Sequence, residues 1–592
     1  MNKKIEFSLL SFILLLTMST TTLHETLHKK NSENIRLNQL GFYPSAPKIA
    51  IIVGATEERF FILSENFKDT VFQGFLEKST QWEYSGESER KANFSRVTKT
   101  GKFVVFVPGL GYSYPFEINP HMDAAVAKAS LKFFYYARCS DDVKSEFGGE
   151  WAREMGHPDT EVIVHPSAAT STRPAGTKIS SPRGWYDAGD YNKYIVNSGI
   201  ATYTILSLYE DYPKYFDTVT INIPESKNNI PDILDEALWN LRWMLTMQDK
   251  DGGVYHKLTN SSFDGSVMPD RAIETRYVVK KTTTATLDFA AVMAQSYRIF
   301  KKLNNQLPGF ADSCLTASFN AWKWAHKNSN QLYKQSELNS SFNPDIQTGE
   351  YGDASADDEL QWAALELFAS TGKLEYYDEA NLSFTIRNGF DIPSWQKVNT
   401  LGLYTLVRLR NSIPEIPEMD MAKEKIIKMA SELKSYAATS PYGVTMGIQP
   451  DNFSWGSNST CANQGMLLIQ AYNLTNEIAY LDAAMSSLDY LLGRNPTGYS
   501  YITGFGDKFS NDPHHRPSEA DFNEQAIPGM LVGGPNTGQE DISSCGGRYT
   551  SKLPALSYID HRCSYASNEI AINWNAPFAY LAYSIEINLK NK

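Results

Sequence analysis

Cysteine is scarce in this chain. Cys139, Cys314, Cys461, Cys545 and Cys563 make an odd set of five in 592 residues, too sparse for a disulfide framework, so at most one or two bridges are expected. Positive charge is also short: the formal net charge is -12 and no basic run extends beyond a short pair. That argues against a nucleic-acid partner, which draws on clustered Lys and Arg, and favours a neutral substrate. Long apolar runs are missing too, apart from the start. There Met1-Asn2-Lys3-Lys4, an apolar stretch over residues 7–18 and small polar residues 19–22 have the layout of a secretory signal and are too short to span a bilayer. We therefore expect a signal over residues 1–25, a protein that is secreted or periplasmic, no membrane insertion and a monomer. No cysteine lies near the signal to carry a lipid anchor.

What is present is ordinary for a globular protein, with 42% hydrophobic and 21% charged residues excluding disorder and fibrous repeats. A chain this long divides into units or builds one large toroid. Between about Ile35 and Ile118, Lys48-Ile-Ala-Ile-Ile-Val53, Arg59-Phe-Phe-Ile-Leu63 and Gly101-Lys-Phe-Val-Val-Phe-Val107 read as strands of a small β-sandwich. After Asn119-Pro120 the pattern turns helical. Leu234, Leu238, Leu241 and Leu245 mark one buried helix face. Similar stripes recur near residues 124–137, 199–209, 284–300, 359–370, 465–474, 480–492 and 569–587, with no strand-rich block between them. Roughly a dozen helices joined by long polar loops predict a helical toroid whose loops build a cleft.

Three segments carry candidate chemistry. Gly184-Trp185-Tyr186-Asp187-Ala188-Gly189-Asp190-Tyr191 sets two carboxylates in a glycine-containing turn able to aim both at one water; alone it also reads as a solvated turn or a calcium loop. Tyr565-Ala-Ser-Asn568-Glu569-Ile-Ala-Ile-Asn573-Trp574 places a Glu among apolar neighbours that keep a carboxyl protonated, as a general acid requires; the alternative is a Glu stabilised at a helix N-terminus. Asp512-Pro513-His514-His515-Arg516 gathers donors that orient hydroxyls or carboxylates, or ligate a metal.

In order and spacing these segments resemble glycoside hydrolase family 9, in the branch with an N-terminal immunoglobulin-like domain. Ser500, Gly506, Lys508 and 513–516 match its histidine signature, and Tyr558, Asp560, Tyr565, Glu569, Ala571, Asn575 and Ala576 its Asp/Glu signature. Gly252-Gly-Val-Tyr-His-Lys257, Thr282-Thr-Thr-Ala-Thr286, Gly493-Arg-Asn-Pro496 and Leu531-Val-Gly-Gly-Pro-Asn536 also look like the family. The resemblance implies a mainly α fold, an (α/α)6 barrel over residues 120–592 preceded by an immunoglobulin-like β-sandwich over residues 33–119. It implies a cellulase-like endoglucanase, with an exo-acting β-glucosidase or glucosaminidase, or a xyloglucan-active member, as the alternative. Carried over by position, Asp190 is the general base, Asp187 a second carboxylate on the attacking water, and Glu569 the general acid. Asp560 and His514 are supporting catalytic residues, while Arg516, Trp185, Tyr186, His515, Tyr565, His256 and Trp455 are expected to bind substrate. Inversion through one displacement leaves base and acid about 6.5–9.5 Å apart. The chemistry needs no cofactor. Structural calcium is frequent in the family, but no motif places its ligands. Zinc is not predicted, because only Cys139, with His157 and His165, stands where family members carry two Cys and two His. The end at Lys592 suggests soluble or amorphous glucan as substrate, and the stretch 156–181 is a candidate for closing one end of the cleft. Two other classes compete: a non-catalytic glycan-binding protein, and a metal-dependent hydrolase ligated by Asp187, Asp190, His514 and His515.

Overall fold

A computed structural model describes residues 31–590; the expected signal over residues 1–25 lies outside them. The β-rich stretch folds as a sandwich. One sheet joins β1 (Ile35–Arg36), β3 (Ile49–Val53), β7 (Glu87–Asn93) and β6 (Thr80–Trp82) in that order. The other joins β2 (Gly41–Phe42), β10 (Phe116–Ile118), β8 (Gly101–Val107), β4 (Arg59–Ser64) and β5 (Thr70–Phe75), with β9 (Gly111–Tyr112) on β8. Within the sandwich β2 and β10 pair in parallel. The alternation along β4 turns Phe60 and Ile62 inward, where Ile52, Val105 and Ile118 meet them, all fully buried. Phe42 closes that core edge-on against Phe94 and Phe116, at 5.3 and 5.5 Å.

The rest is a barrel of two concentric helix rings. The inner ring is α2 (Ile195–Asp211), α4 (Thr283–Phe300), α6 (Asp357–Thr371), α9 (Asn399–Leu409), α11 (Ser457–Thr475) and α13 (Ile572–Leu589). The outer ring is α1 (Ala124–Tyr136), α3 (Asp232–Thr246), α5 (Phe310–Lys327), the pair α7 (Leu374–Glu379) and α8 (Leu382–Asn388), α10 (Met419–Thr439) and α12 (Ile478–Leu491). Burial separates the rings. Residues 195–208 of α2 and 572–586 of α13 are buried without interruption, as an element walled in on all sides must be. In α10 only the stripe Ala422, Ile426, Ala430, Leu433 and Ala437 is buried. Gly465 shows how closely inner helices approach, since a Cβ there would lie 2.7 Å from Leu581.

Between the helices stand no long strands but a small sheet of two- and three-residue strands on the barrel rim. It joins β12 (Lys178–Ile179), β11 (Val162–Val164), β15 (Tyr277–Val278), β14 (Lys257–Thr259) and β13 (Lys193–Tyr194) in that order. Strands of two or three residues show no period in a sequence. Their effect is positional: β13 runs straight into α2, so the turn before it is fixed from both sides. Among the described residues no helix is long and apolar enough to cross a membrane.

Candidate active site

The inner helices start at one end of the barrel, and the segments just before them line a cleft of about 830 Å³. Asp187 and Asp190 precede α2, residues 347–351 precede α6, Pro393, Ser394 and Trp395 precede α9, Ser454 and Trp455 lead into α11, and Glu569 precedes α13. His514, Arg516 and Tyr565 complete a wall.

The Asp turn is held by hydrogen bonds to both carboxylates. Asp187 accepts from Asn197 Nδ2 at 2.8 Å and from the Tyr351 hydroxyl at 2.7 Å. Asp190 Oδ2 accepts from Asn192 and, at 3.4 Å, from Tyr194, and no hydrogen bond among the described residues reaches its Oδ1. Gly189 between them donates its N–H to Glu569 Oε1 at 3.3 Å. No larger residue fits there, because a Cβ on Gly189 would meet the His514 carbonyl at 2.2 Å. Burial pushes Asp187 up to about 8, with repulsion from Asp190 adding to it. Burial, then Asp190 and Asp187, hold Glu569 well above the usual carboxyl range against the opposing pull of Arg516. A proton on Glu569 thus faces an acceptor on Asp190 across one cleft. Glu569 is not a helix cap: α13 begins at Ile572, and Glu569 pairs as a bridge with His514.

His514 Nδ1–H donates to the Arg562 carbonyl at 2.7 Å, so its other ring nitrogen is left for the cleft. Arg516 donates to the Gly189 carbonyl at 2.9 Å and to the Asp264 carbonyl at 2.8 Å, which buttresses the Asp turn as well as the wall. Trp455, 46% exposed, stands 5.5 Å from the Tyr565 ring, an apolar platform of the kind that stacks on sugar faces. Asp560 does not reach the cleft. It accepts the N–H groups of Asn511 and Asp512, at 3.0 Å each, and the Asn568 amide at 3.2 Å, so it sets the loop that carries His514.

Four expected substrate contacts are corrected. Trp185 is fully buried, donates to Glu236 at 2.9 Å and packs on Phe134 at 4.6 Å. The buried Tyr186 hydroxyl pairs with His157 at 2.9 Å. His515 is buried against Ser518 at 2.9 Å. His256 lies behind the cleft, where its Nε2–H donates to the Glu350 carbonyl at 3.0 Å and its ring stacks on Tyr333 at 4.2 Å; burial holds it down to about 3, hence neutral. Side chains flanking an Asp alternate sides, and the turn sends Trp185 and Tyr186 inward. Phe263, Tyr351, Trp395 and Trp574 line the cleft instead. The stretch 156–181 forms β11 and β12, and none of it lines the cleft.

The donors do not suit a metal. His514 and His515 turn to different partners, so the four-ligand reading with Asp187 and Asp190 has no shared point. Near Cys139, the Asp159 carboxylate is already matched by Lys193 at 2.7 Å and Arg276 at 3.2 Å, and His165 turns away to the Pro344 carbonyl at 2.9 Å. For calcium, Asp288, Asp353, Asp358 and Glu359 offer the right oxygen chemistry. Both Asp288 oxygens are buried without a hydrogen-bond partner, and burial with mutual repulsion raises these carboxyls. Yet among the described residues no three His, Cys, Asp or Glu side chains are gathered to hold a metal.

Residues 124–582 match glycosyl hydrolase family 9, and residues 30–112 match the cellulase N-terminal ig-like domain. The chain belongs to glycosyl hydrolase family 9. This hydrolase is 44% identical, over 94% of both chains, to a xyloglucan-specific endo-beta-1,4-glucanase of Bacteroides ovatus, and 31% identical to endoglucanase D of Acetivibrio thermocellus over 92% of this chain and 82% of that one. A solved Bacteroides ovatus family 9 structure superposes with a TM-score of 0.88 at 43% identity, over 94% of this chain and 99% of its own.

Proposed function

We propose that this family 9 hydrolase is a secreted, monomeric endo-β-1,4-glucanase that cuts a glucan backbone with inversion. The observation that carries the reading is the cleft in which a proton-holding Glu569 and the Asp187–Asp190 turn face one another, linked through the Gly189 N–H. In this mechanism Asp190 takes the proton of a water that Asp187 helps to orient, and the water attacks the anomeric carbon. Glu569 gives its proton to the departing sugar oxygen. Tyr351 and Asn197 keep Asp187 in place, and His514 and Arg516 fix the wall on which Glu569 sits. Trp455 and Tyr565 hold sugar rings in register. Proton NMR of the first products from a β-linked glucan tests this: α-anomer before mutarotation is expected, and initial β-anomer overturns inversion.

Xyloglucan is the second reading for the polymer, favoured by the similarity to the xyloglucan-specific relative along nearly the whole chain. Initial rates on xyloglucan, carboxymethyl-cellulose and mixed-linkage glucan decide between them. A rate on xyloglucan no higher than on the unbranched polymers sinks that preference.

A further inference from the structure

Folding does not account for Phe522. Its side chain is 95% exposed and its backbone sits at φ 60°, the left-handed region where a bulky aromatic is an outlier. The loop around it is nevertheless pinned. Asp521 accepts the Asn523 N–H and side-chain amide at 3.0 Å each, Asn523 Nδ2 donates to the Glu150 carbonyl at 3.1 Å, and Trp151 donates to the Gln525 carbonyl at 3.1 Å. An aromatic ring is thus presented to solvent, on a strained backbone, with no gain in burial.

Its place in the fold gives the ring a partner. Phe522 follows the short helix Arg516–Ala520, whose first residue lines the cleft. That helix and two further residues keep it within about 13 Å of Arg516. The cleft wall includes Phe263, 47% exposed, with the Arg516 guanidinium 5.5 Å from its ring. Ser266 is hydrogen bonded to Glu519, so the loop after Phe263 and the segment before Phe522 form one ridge. Met155 and Ile273, both exposed, stand on the segments packed beside it, where Gly156 presses on Pro269. Large apolar side chains left exposed near one another mark a contact surface. Here they sit on segments tied to the cleft wall at Arg516 and through Ser266 and Glu519.

We propose that Phe522, together with Phe263, forms a track for the length of glucan that leaves the cleft, its ring stacking on the apolar faces of successive sugars. The proposal rests on the β-glucan reading above. A polymer must pass over some part of the rim, and this ridge, tied to the wall at Arg516, offers it exposed aromatic surface.

Substrate length tests it. Phe522→Ala should lower kcat/KM on soluble mixed-linkage glucan about two- to tenfold, as expected for one aromatic contact. Turnover of cellotetraose, which lacks the outgoing length of chain, should not change. Phe522→Trp should restore the polymer value, and the melting temperature should not fall, because the ring buries nothing. An unchanged polymer kcat/KM, or equal losses on both substrates, overturns the track. A change in sedimentation of Phe522→Ala with intact polymer kinetics would assign the ring to contact between two copies, and also overturns it. If the unmutated enzyme cuts neither substrate, the β-glucan reading falls and the track with it.

Discussion

At the scale of single residues the site is an arrangement of proton affinities. Glu569 keeps its proton because it is enclosed by protein and faced by Asp190 and Asp187, which outweigh Arg516. A general acid is needed in proportion to how poorly the departing oxygen carries charge, so Glu569→Gln should lose about two to four orders of magnitude in kcat on glucans. It should lose far less on a nitrophenyl cellobioside, whose leaving group needs no proton. Equal losses on both substrates would reject the acid role. Because its pKa is raised, activity falls as pH rises through it, and that alkaline limb should flatten in the variant with the activated substrate. Asp187 gives a stability counterpart. Its folded pKa of about 8 lies above the ordinary 3.8, so the native state binds the proton more tightly than the unfolded chain, and stability falls as pH rises between about 4 and about 8. Asp187→Asn removes that penalty, and its melting temperature should drop less steeply across this range while turnover is impaired. A pH dependence of melting identical to the parent's would contradict the cause given for the shift.

At the scale of elements, function gathers where segments enter the inner helices, and the loops there need outside support. The bridge Cys545–Cys563 supplies some, spanning 18 residues. Asp541, four residues before Cys545, accepts from Ser564 and the Ala566 N–H at 2.7 Å each, beside the cleft residue Tyr565. Closing a loop of this size contributes about 3 kcal/mol. Cys563→Ser should therefore raise KM on glucans several-fold and lower the melting temperature, with kcat largely kept. A collapse of kcat with KM unchanged would place the effect at the carboxylates instead. The three segments holding Asp187, Asp190, His514 and Glu569 were legible in the sequence because each packs unusual residue types into a short run. Tyr351 and Trp395 were not, being isolated aromatics in polar loops that reach the cleft only through the ring of helices. Trp185, Tyr186, His515 and His256 were read as substrate contacts because composition near an acid shows proximity along the chain and not the direction of a side chain. Helices α5 and α10 went unremarked for a related reason, since a stripe facing one neighbour is diluted by the polar residues around it, whereas α9, buried from Thr400 to Val407, shows no stripe at all.

At the scale of the whole molecule, the β-sandwich is joined to the barrel at points that lead back to the cleft. Tyr43 donates to Glu586 in α13 at 2.7 Å, and Asn38 to Asp489 in α12 at 2.8 Å. The end of β6 reaches furthest. Trp82, 3% exposed, packs on Tyr442 at 4.9 Å and Phe453 at 5.9 Å, and Tyr84 lies 5.2 Å from the same Phe453. Two residues beyond Phe453 stands Trp455, the exposed platform of the cleft. The sandwich therefore braces the barrel segment that presents an exposed aromatic ring to the cleft, and damage to the brace should be read in substrate binding before chemistry. Trp82→Ala should cost about 3–5 kcal/mol of stability, as removal of a buried Trp does. At a temperature where circular dichroism shows the variant folded, KM on glucans should rise several-fold while kcat stays within about twofold, since the Asp187–Asp190–Glu569 arrangement touches none of these residues. Trp82→Phe, which keeps a ring against Phe453, should recover most of the KM. Lost stability with an unchanged KM would reduce the sandwich to a clamp on the barrel wall and detach it from the shape of the cleft.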